Sequence, residues 1–437
     1  MMNRLVGALA SAMLIGTMAA PAVAQEQDTT LARLTRQVDA LTREIEAMRL
    51  GDDVVVRADT SSYGFGPAAS KVYRVRQGAS IGGYGEVLYE NFAREREDDA
   101  PVTTRDQIDA LRLILYVGYK FTPKLLFNSE IEFEHASTGQ GGEASVEFAY
   151  IDYVASRQLG LRGGMVLVPM GLINELHEPP IFLGTSRPLT ENTIIPSTWR
   201  ENGVGVFGEL GDFSYRAYVI NGLDAVGNGP SRATGFSSTG IRGGRQKGAR
   251  ALIENPAVVG RIDFTPAAVR GLLVGGSAYT GNSAQGATTT TGDDIEATTT
   301  VLEGHAQFQA RGLDLRGVYA RATVDDVAEL NAARGLTGTS SIGEELSGWY
   351  VQAGYDVLRA TGSELQLTPY VRYESVNTQE SVPTGFSISS ATERTATVVG
   401  AAFKPIPNIV LKADYQIHKN EARTGLNQFN VALGYLF

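Results

Sequence analysis

From Ser80 to the end of the chain, apolar and polar positions alternate. Leu111, Leu113, Leu115, Val117, Tyr119 and Phe121 are apolar, while Arg112, Tyr116 and Lys120 take the other side. Phe127, Ile131 and Phe133 oppose Asn128, Glu130, Glu132 and Glu134; Val258, Ile262 and Phe264 oppose Arg261 and Asp263. Leu365, Leu367, Val371 and Tyr373 oppose Glu364, Gln366, Tyr370, Arg372 and Glu374, and Ile409, Leu411, Tyr415 and Ile417 oppose Lys412, Asp414, Gln416 and His418. The chain closes on Phe429, Val431, Leu433, Tyr435 and Phe437, separated by Asn430, Ala432 and Gly434. A period of two predicts strands with a different solvent on each face.

Either water or lipid can lie outside such strands. A soluble sandwich also alternates, but it rarely sets aromatic residues at the ends of its apolar face. Here Tyr119, Phe121, Phe264, Phe403, Tyr435 and Phe437 cluster beside short turns, as an interfacial aromatic girdle does. Connections alternate in length. Thr122-Pro123-Lys124, Ser156-Arg157-Gln158 and Gly211-Asp212 are short; 93–106, 170–201, 223–256, 281–300, 323–347 and 377–394 are long and polar. The pattern predicts an all-β fold: a 16-stranded antiparallel transmembrane β-barrel over 79–437, closed between the last strand and residues 80–92. Strand register is ambiguous over 143–155, 272–280 and 313–324.

A barrel of about 16 strands is too wide for its own side chains to fill and encloses water. Arg112, Lys120, Glu130, Glu132, Arg162, Arg216, Arg261, Asp263, Arg372, Lys412 and Asp414 are the expected pore-lining charges. Any one of them is equally explained as a solvated wall residue or half of an internal salt bridge. Together they point to passive movement of small polar solutes. The five arginines among them suggest anions.

Three segments precede the barrel. Arg4, the apolar run Leu5–Ala20 and Ala22-Val23-Ala24 read as an export signal over 1–24. Leu31, Leu34, Val38, Leu41, Ile45 and Met48 then form a heptad seam, predicting a short N-terminal coiled-coil helix over 25–50 that self-associates in the periplasm. A lone amphipathic helix packed on the barrel is the alternative. Residues 51–78 read as an extended linker. No later run of about 18 apolar residues predicts a spanning helix.

The formal net charge of −10 argues against nucleic acid as a partner, and zero cysteines exclude disulfides and thiolate chemistry. The four histidines show no metal-ligand spacing, so neither metal nor cofactor is expected. Gly203-Val-Gly205-Val-Phe-Gly208 matches a dinucleotide fingerprint, but an alternating strand follows where a helix is needed. A hydrolase would need a Ser or Thr nucleophile beside His305. No enzyme activity is expected.

The longest insert, PMGLINELHEPPIFLGTSRPLTENTIIPSTWREN over 169–202, is too apolar for a solvated loop and should fold into the lumen. Glu175, His177, Glu178, Arg187, Glu191 and Arg200 are its candidate constriction residues, with pinning of the loop as the competing role. This insert, YGEVLYENF at 84–92, GVGVFGEL at 203–210 and the final FNVALGYLF resemble the phosphate-selective porin O and P family and its relatives with an N-terminal coiled coil. The resemblance implies a homotrimeric porin in the outer membrane of a Gram-negative bacterium, with an inward-folded third loop and small anions, phosphate or dicarboxylates as solutes. In phosphate-selective members lysines cluster at the constriction. The 169–202 insert has none, so the expectation is a channel for small polar or anionic solutes. A non-conducting barrel acting as an adhesin through its long loops is the alternative.

Overall fold

The computed structural model describes residues 62–136 and 141–437. The expected signal, coiled-coil seam and first part of the linker lie outside them. Sixteen antiparallel strands follow one another around a closed barrel. They are β1 (Gly78–Phe92), β2 (Gln107–Thr122), β3 (Leu125–Glu134), β4 (Ala144–Val154), β5 (Gly160–Leu167) and β6 (Arg200–Leu210). Next come β7 (Phe213–Asn221), β8 (Pro256–Phe264), β9 (Leu272–Asn282), β10 (Thr298–Ala310) and β11 (Leu313–Val324). The circuit ends with β12 (Glu345–Tyr355), β13 (Gln366–Ser381), β14 (Glu393–Ile406), β15 (Ile409–Asn420) and β16 (Gln428–Leu436). Among the described residues, the short helix α1 (Lys71–Arg74) precedes the barrel, and α2 (Leu189–Thr193) and α3 (Val327–Arg334) lie in its connections.

β16 closes on β1, with Tyr84 opposite Leu436 and Phe92 opposite Gln428. No strand edge is left unpaired, which is what lets a sheet sit in hydrocarbon. The alternation sorts as expected. Phe429 is 41 % exposed and its neighbour Asn430 1 %; on β8, Val258 and Ile262 face outward while Arg261 and Asp263 are buried. The aromatic band gathers at the short-turn end, where Phe213 meets Phe264 with ring centroids 4.7 Å apart.

The ambiguous register at 143–155 has a specific cause. Glu130 pairs with Phe148 and Ile131 with Val146, so Glu147 is an extra residue in β4. This bulge turns both Glu147 and Phe148 to the inside and Val146 out, breaking the two-residue period. The GxGxxG stretch lies on β6, and a second strand follows it. Its Gly205 is needed for space: a Cβ there would stand 2.4 Å from the Tyr218 ring. Gly78-Ala-Ser80-Ile-Gly82 also fits a serine-nucleophile pattern, but Ser80 sits within β1 rather than at a strand-to-helix turn.

Candidate functional site in the barrel lumen

The connection from β5 to β6 does not stay at the rim. Its neck is closed by Asn174, whose amide donates to the carbonyls of Val168 (2.7 Å) and Trp199 (3.0 Å) and whose oxygen accepts the Trp199 N–H (2.7 Å). Met170, Leu172, Ile194, Ile195 and Trp199 are buried, which accounts for the apolar content that marked the insert. Beyond the neck the loop crosses the lumen and is held on opposite walls. Glu175 reaches Arg216 on β7 (3.3 Å) and His177 reaches Glu130 on β3 (3.1 Å). On the far side, Ile181 accepts from Arg316 on β11 (2.7 Å), Gly184 from Lys412 on β15 (2.8 Å), and the Leu189 N–H donates to Glu374 on β13. Glu191 on α2 accepts from Tyr350 on β12 (2.7 Å) and from the Ile173 N–H (2.6 Å).

The expected linker needs correction in its described part. Residues 62–75 are not an extended tether but are packed inside the barrel. Phe65, Ala68, Ala69 and Val72 are buried, with the Phe65 ring 5.2 Å from Phe148 and 5.5 Å from Tyr150. The carboxylate of Glu178, from the crossing loop, accepts the N–H groups of Ala68 and Ala69, both at 3.0 Å. Gly66 allows this approach, since a Cβ there would meet Glu178 Oε1 at 2.5 Å. Tyr73 donates to Asp152 (2.6 Å), and Lys120 donates to the carbonyls of Tyr73 (2.8 Å) and Val75 (2.9 Å). The segment reads as turn-forming in sequence because its apolar residues are few; its partners are wall residues far along the chain.

The predicted wall charges all face inward, yet the arginines are neutralised. Arg162 holds Asp152 in two bonds of 2.8 Å, Arg216 and Arg261 share Asp263, Arg372 pairs with Glu374 at 2.6 Å, and Arg112 lies 3.4 Å from Glu86. These five arginines therefore do not by themselves carry the expected anion preference. A paired guanidinium presents little net charge to a passing ion. Lys412 lies over the Phe182 ring at 3.6 Å, and Asp414 accepts from Thr185. Glu132, beside Arg112, faces the bulged Glu147.

Of the six loop candidates, Glu175, His177, Glu178, Glu191 and Arg200 bind wall or neighbouring backbone; Arg200 pairs with Glu147 at 2.8 Å. Arg187 does not. Its buried Nη2 has no hydrogen-bond partner, and no carboxylate lies within ion-pair distance of it among the described residues. Two cations missed by sequence reading join it from the β7–β8 connection. Arg245 donates to Thr198 O (2.8 Å) and Arg242 to Asn192 O (3.2 Å). Burial and then their mutual proximity with Arg187 and Arg200 push both guanidiniums below their ordinary range. The basic run Arg242-Gly-Gly-Arg245-Gln-Lys247 was the available signal. Burial likewise pushes the carboxyls of Glu178 and Glu191, both in the loop, up to about 7.

His305, the candidate partner of a hydrolytic nucleophile, faces Glu303 (2.7 Å) and Asp263 (2.8 Å) through its two ring nitrogens. No hydroxyl is among its hydrogen-bond partners in the described residues.

No model of a known protein family matches the chain. An uncharacterised protein of Aquifex aeolicus (strain VF5) is 40 % identical over 382 residues, spanning 86 % of this chain and 83 % of that protein. Among solved structures, the outer membrane channel DcaP of Acinetobacter baumannii superposes with a TM-score of 0.53 at 13 % identity, over 82 % of this chain and 98 % of that one. The anion-selective porin from Comamonas acidovorans gives 0.52 at 10 % identity, over 82 % and 99 %. Salmonella typhi OmpF, in complex with daunomycin, gives 0.53 at 13 % identity, over 83 % and 98 %. At these identities the likeness is one of fold.

Proposed function

We propose that this chain, which belongs to one family with the Aquifex aeolicus protein, is an outer-membrane porin for passive diffusion of small anionic or polar solutes, phosphate or dicarboxylate-like. One observation carries the reading: the barrel is sealed and apolar outside, charged inside, and crossed at depth by its third long loop. A structural barrel has no need of a polar lumen with a loop braced across it. Anion preference rests on Arg187, Arg242 and Arg245, which have no carboxylate partner among the described residues and gather where the β5–β6 and β7–β8 connections meet. Arg112, Lys120, Glu130, Glu132, Arg162, Arg216, Arg261, Asp263, Arg372, Lys412 and Asp414 form the wall, and most of them brace the loop.

The heptad seam and the resemblance to the phosphate-selective porin O and P family support a homotrimer, a periplasmic coiled coil and localisation in a Gram-negative outer membrane. The test is the reversal potential of the purified protein in a salt gradient, with and without phosphate or succinate. Anion selectivity that either anion blunts supports the reading; cation selectivity overturns it.

A second reading is favoured by residues 62–75. Their packing against Phe148, Tyr150 and Glu178 narrows the lumen from the short-turn end, as in a barrel closed at rest. A non-conducting barrel working through its long loops would stay silent in the same experiment.

A further inference from the structure

We propose that Glu130, Glu147 and His177 form a divalent-cation site, of the kind that takes zinc, which staples the lumen-crossing loop to the barrel wall.

The fold brings together three residues that show no metal spacing in sequence. His177 Nε2 lies 3.1 Å from Glu130 Oε1 and 3.5 Å from Glu147 Oε2, and the three ligand atoms all fall within 4.8 Å of one another. Bonds of about 2.0–2.1 Å in a tetrahedron set its ligand atoms roughly 3.3 Å apart, so these spacings need little adjustment to close on a zinc ion. The residues are 0 %, 1 % and 3 % exposed for Glu130, Glu147 and His177. Nitrogen and carboxylate oxygens on three protein ligands leave the fourth position to water.

Three further features point to a bound cation. The first is orphaned polar atoms. The second oxygen of Glu130 and the hydroxyl of Tyr84 are buried and have no hydrogen-bond partner among the described residues, and the Tyr84 ring lies 6.1 Å from that of His177. A buried polar atom is costly to leave unpaired, and a bound cation would take up the free carboxylate oxygen.

The second is the tautomer. His177 Nδ1 is 2.9 Å from the carbonyl oxygen of Asn174. A carbonyl only accepts, so Nδ1 carries a proton. In a neutral ring Nε2 then aims its lone pair at two carboxylates. A second proton or a cation has to stand between them. A backbone carbonyl that fixes the far nitrogen is the usual support of a metal-bound imidazole.

The third is charge. Glu86 and Glu132 add to the two ligand carboxylates, against the guanidiniums of Arg112 and Arg200. Glu134 and Glu178 on one side, and Arg187, Arg242 and Arg245 on the other, act on the same residues. Burial desolvates whatever charge stays unpaired there.

The bulge gives the arrangement a structural origin. Without the extra residue in β4, Val146 would face the lumen and Glu147 the lipid. Strands use bulges to re-aim one side chain at a site. Here that side chain is the ligand which, with Glu130 from β3, meets His177 from the loop.

The test uses full-length protein without a polyhistidine tag, in detergent, treated with chelator, then equilibrated with zinc and dialysed. We expect about one zinc retained per chain, and cobalt in its place to give the strong visible absorption of a tetrahedral site. His177→Ala and Glu147→Gln should lose both signals. His135→Ala, which removes an exposed histidine on the rim, should keep them. Wild-type protein that shows its folded, heat-modifiable band yet retains neither metal overturns the proposal in favour of a protonated His177. Equal retention by wild type and His177→Ala overturns it as well.

Discussion

Thr185 and Asp414 are 229 positions apart and meet across the lumen: the Thr185 N–H donates to one oxygen of the carboxylate at 2.8 Å and its hydroxyl to the other at 2.9 Å. The far tip of the loop is thus clasped to β15. Thr185→Val keeps the shape and removes the hydroxyl, leaving that oxygen with Gln416 at 3.0 Å and Asn430 at 3.3 Å. The clasp should weaken by about 1–2 kcal/mol, read as larger open-channel current fluctuations at unchanged barrel melting temperature. Identical noise in the two proteins would show that the clasp does not steady the loop.

Arg162 is among the enclosed wall cations. It forks onto Asp152 and lies over the rings of Tyr150 (4.2 Å), Phe207 (4.6 Å) and Phe65 (4.7 Å). Arg162→Met keeps the stem and strands the Asp152 carboxylate, at a cost of about 3–5 kcal/mol. The temperature at which the heat-modifiable band unfolds should drop, and Asp152→Asn in the same chain should recover part of the loss. A double variant as unstable as the single one contradicts the pairing.

The packed segment at 62–75 narrows the lumen. Phe65→Ala removes the ring that anchors it between Phe148 and Tyr150, weakening its hold by about 3 kcal/mol. Single-channel conductance should rise. Conductance equal to wild type would mean the segment lies outside the conducting path.

Among the described residues Arg187 Nη2 has no hydrogen-bond partner, so its charge can be changed with little damage to the loop. Arg187→Glu should move the reversal potential toward cations in a salt gradient, by an amount that shrinks as ionic strength rises. An unmoved potential would place selectivity elsewhere.

Glu191 braces the loop at its base. Burial raises its carboxyl from 4.5 to about 7, so the folded state holds this proton more tightly than the unfolded chain does. The resulting stability is complete below the unfolded value and is lost as pH rises through about 7. The melting temperature should therefore fall between pH 5 and pH 8, and Glu191→Gln should flatten that fall. A Glu191→Gln profile as steep as wild type would assign the pH dependence to other groups.

The barrel was legible because a period of two is a local signal, repeated strand after strand. It faltered at 143–155 because the bulge at Glu147 inserts one residue, and the strand there reads as neither face. The inward loop was legible from its apolar residues, since Ile194, Ile195 and Trp199 cannot be left in water. Ion pairing was only half visible. Arg261 with Asp263 and Arg372 with Glu374 are two apart on one face and can be read from the chain. Arg162 with Asp152 depends on cross-strand register. The joining of Glu130, Glu147 and His177, and of Glu178 with Ala68 and Ala69, comes from closure of the barrel and has no counterpart in local spacing.

The central claim is a sealed barrel with a wet, conducting interior. Adding the purified protein to a planar lipid bilayer tests it directly. The account predicts discrete upward steps in conductance at nanomolar protein, anion-selective in a salt gradient. A bilayer that stays silent at micromolar protein, with the protein verified as folded and inserted, would contradict it.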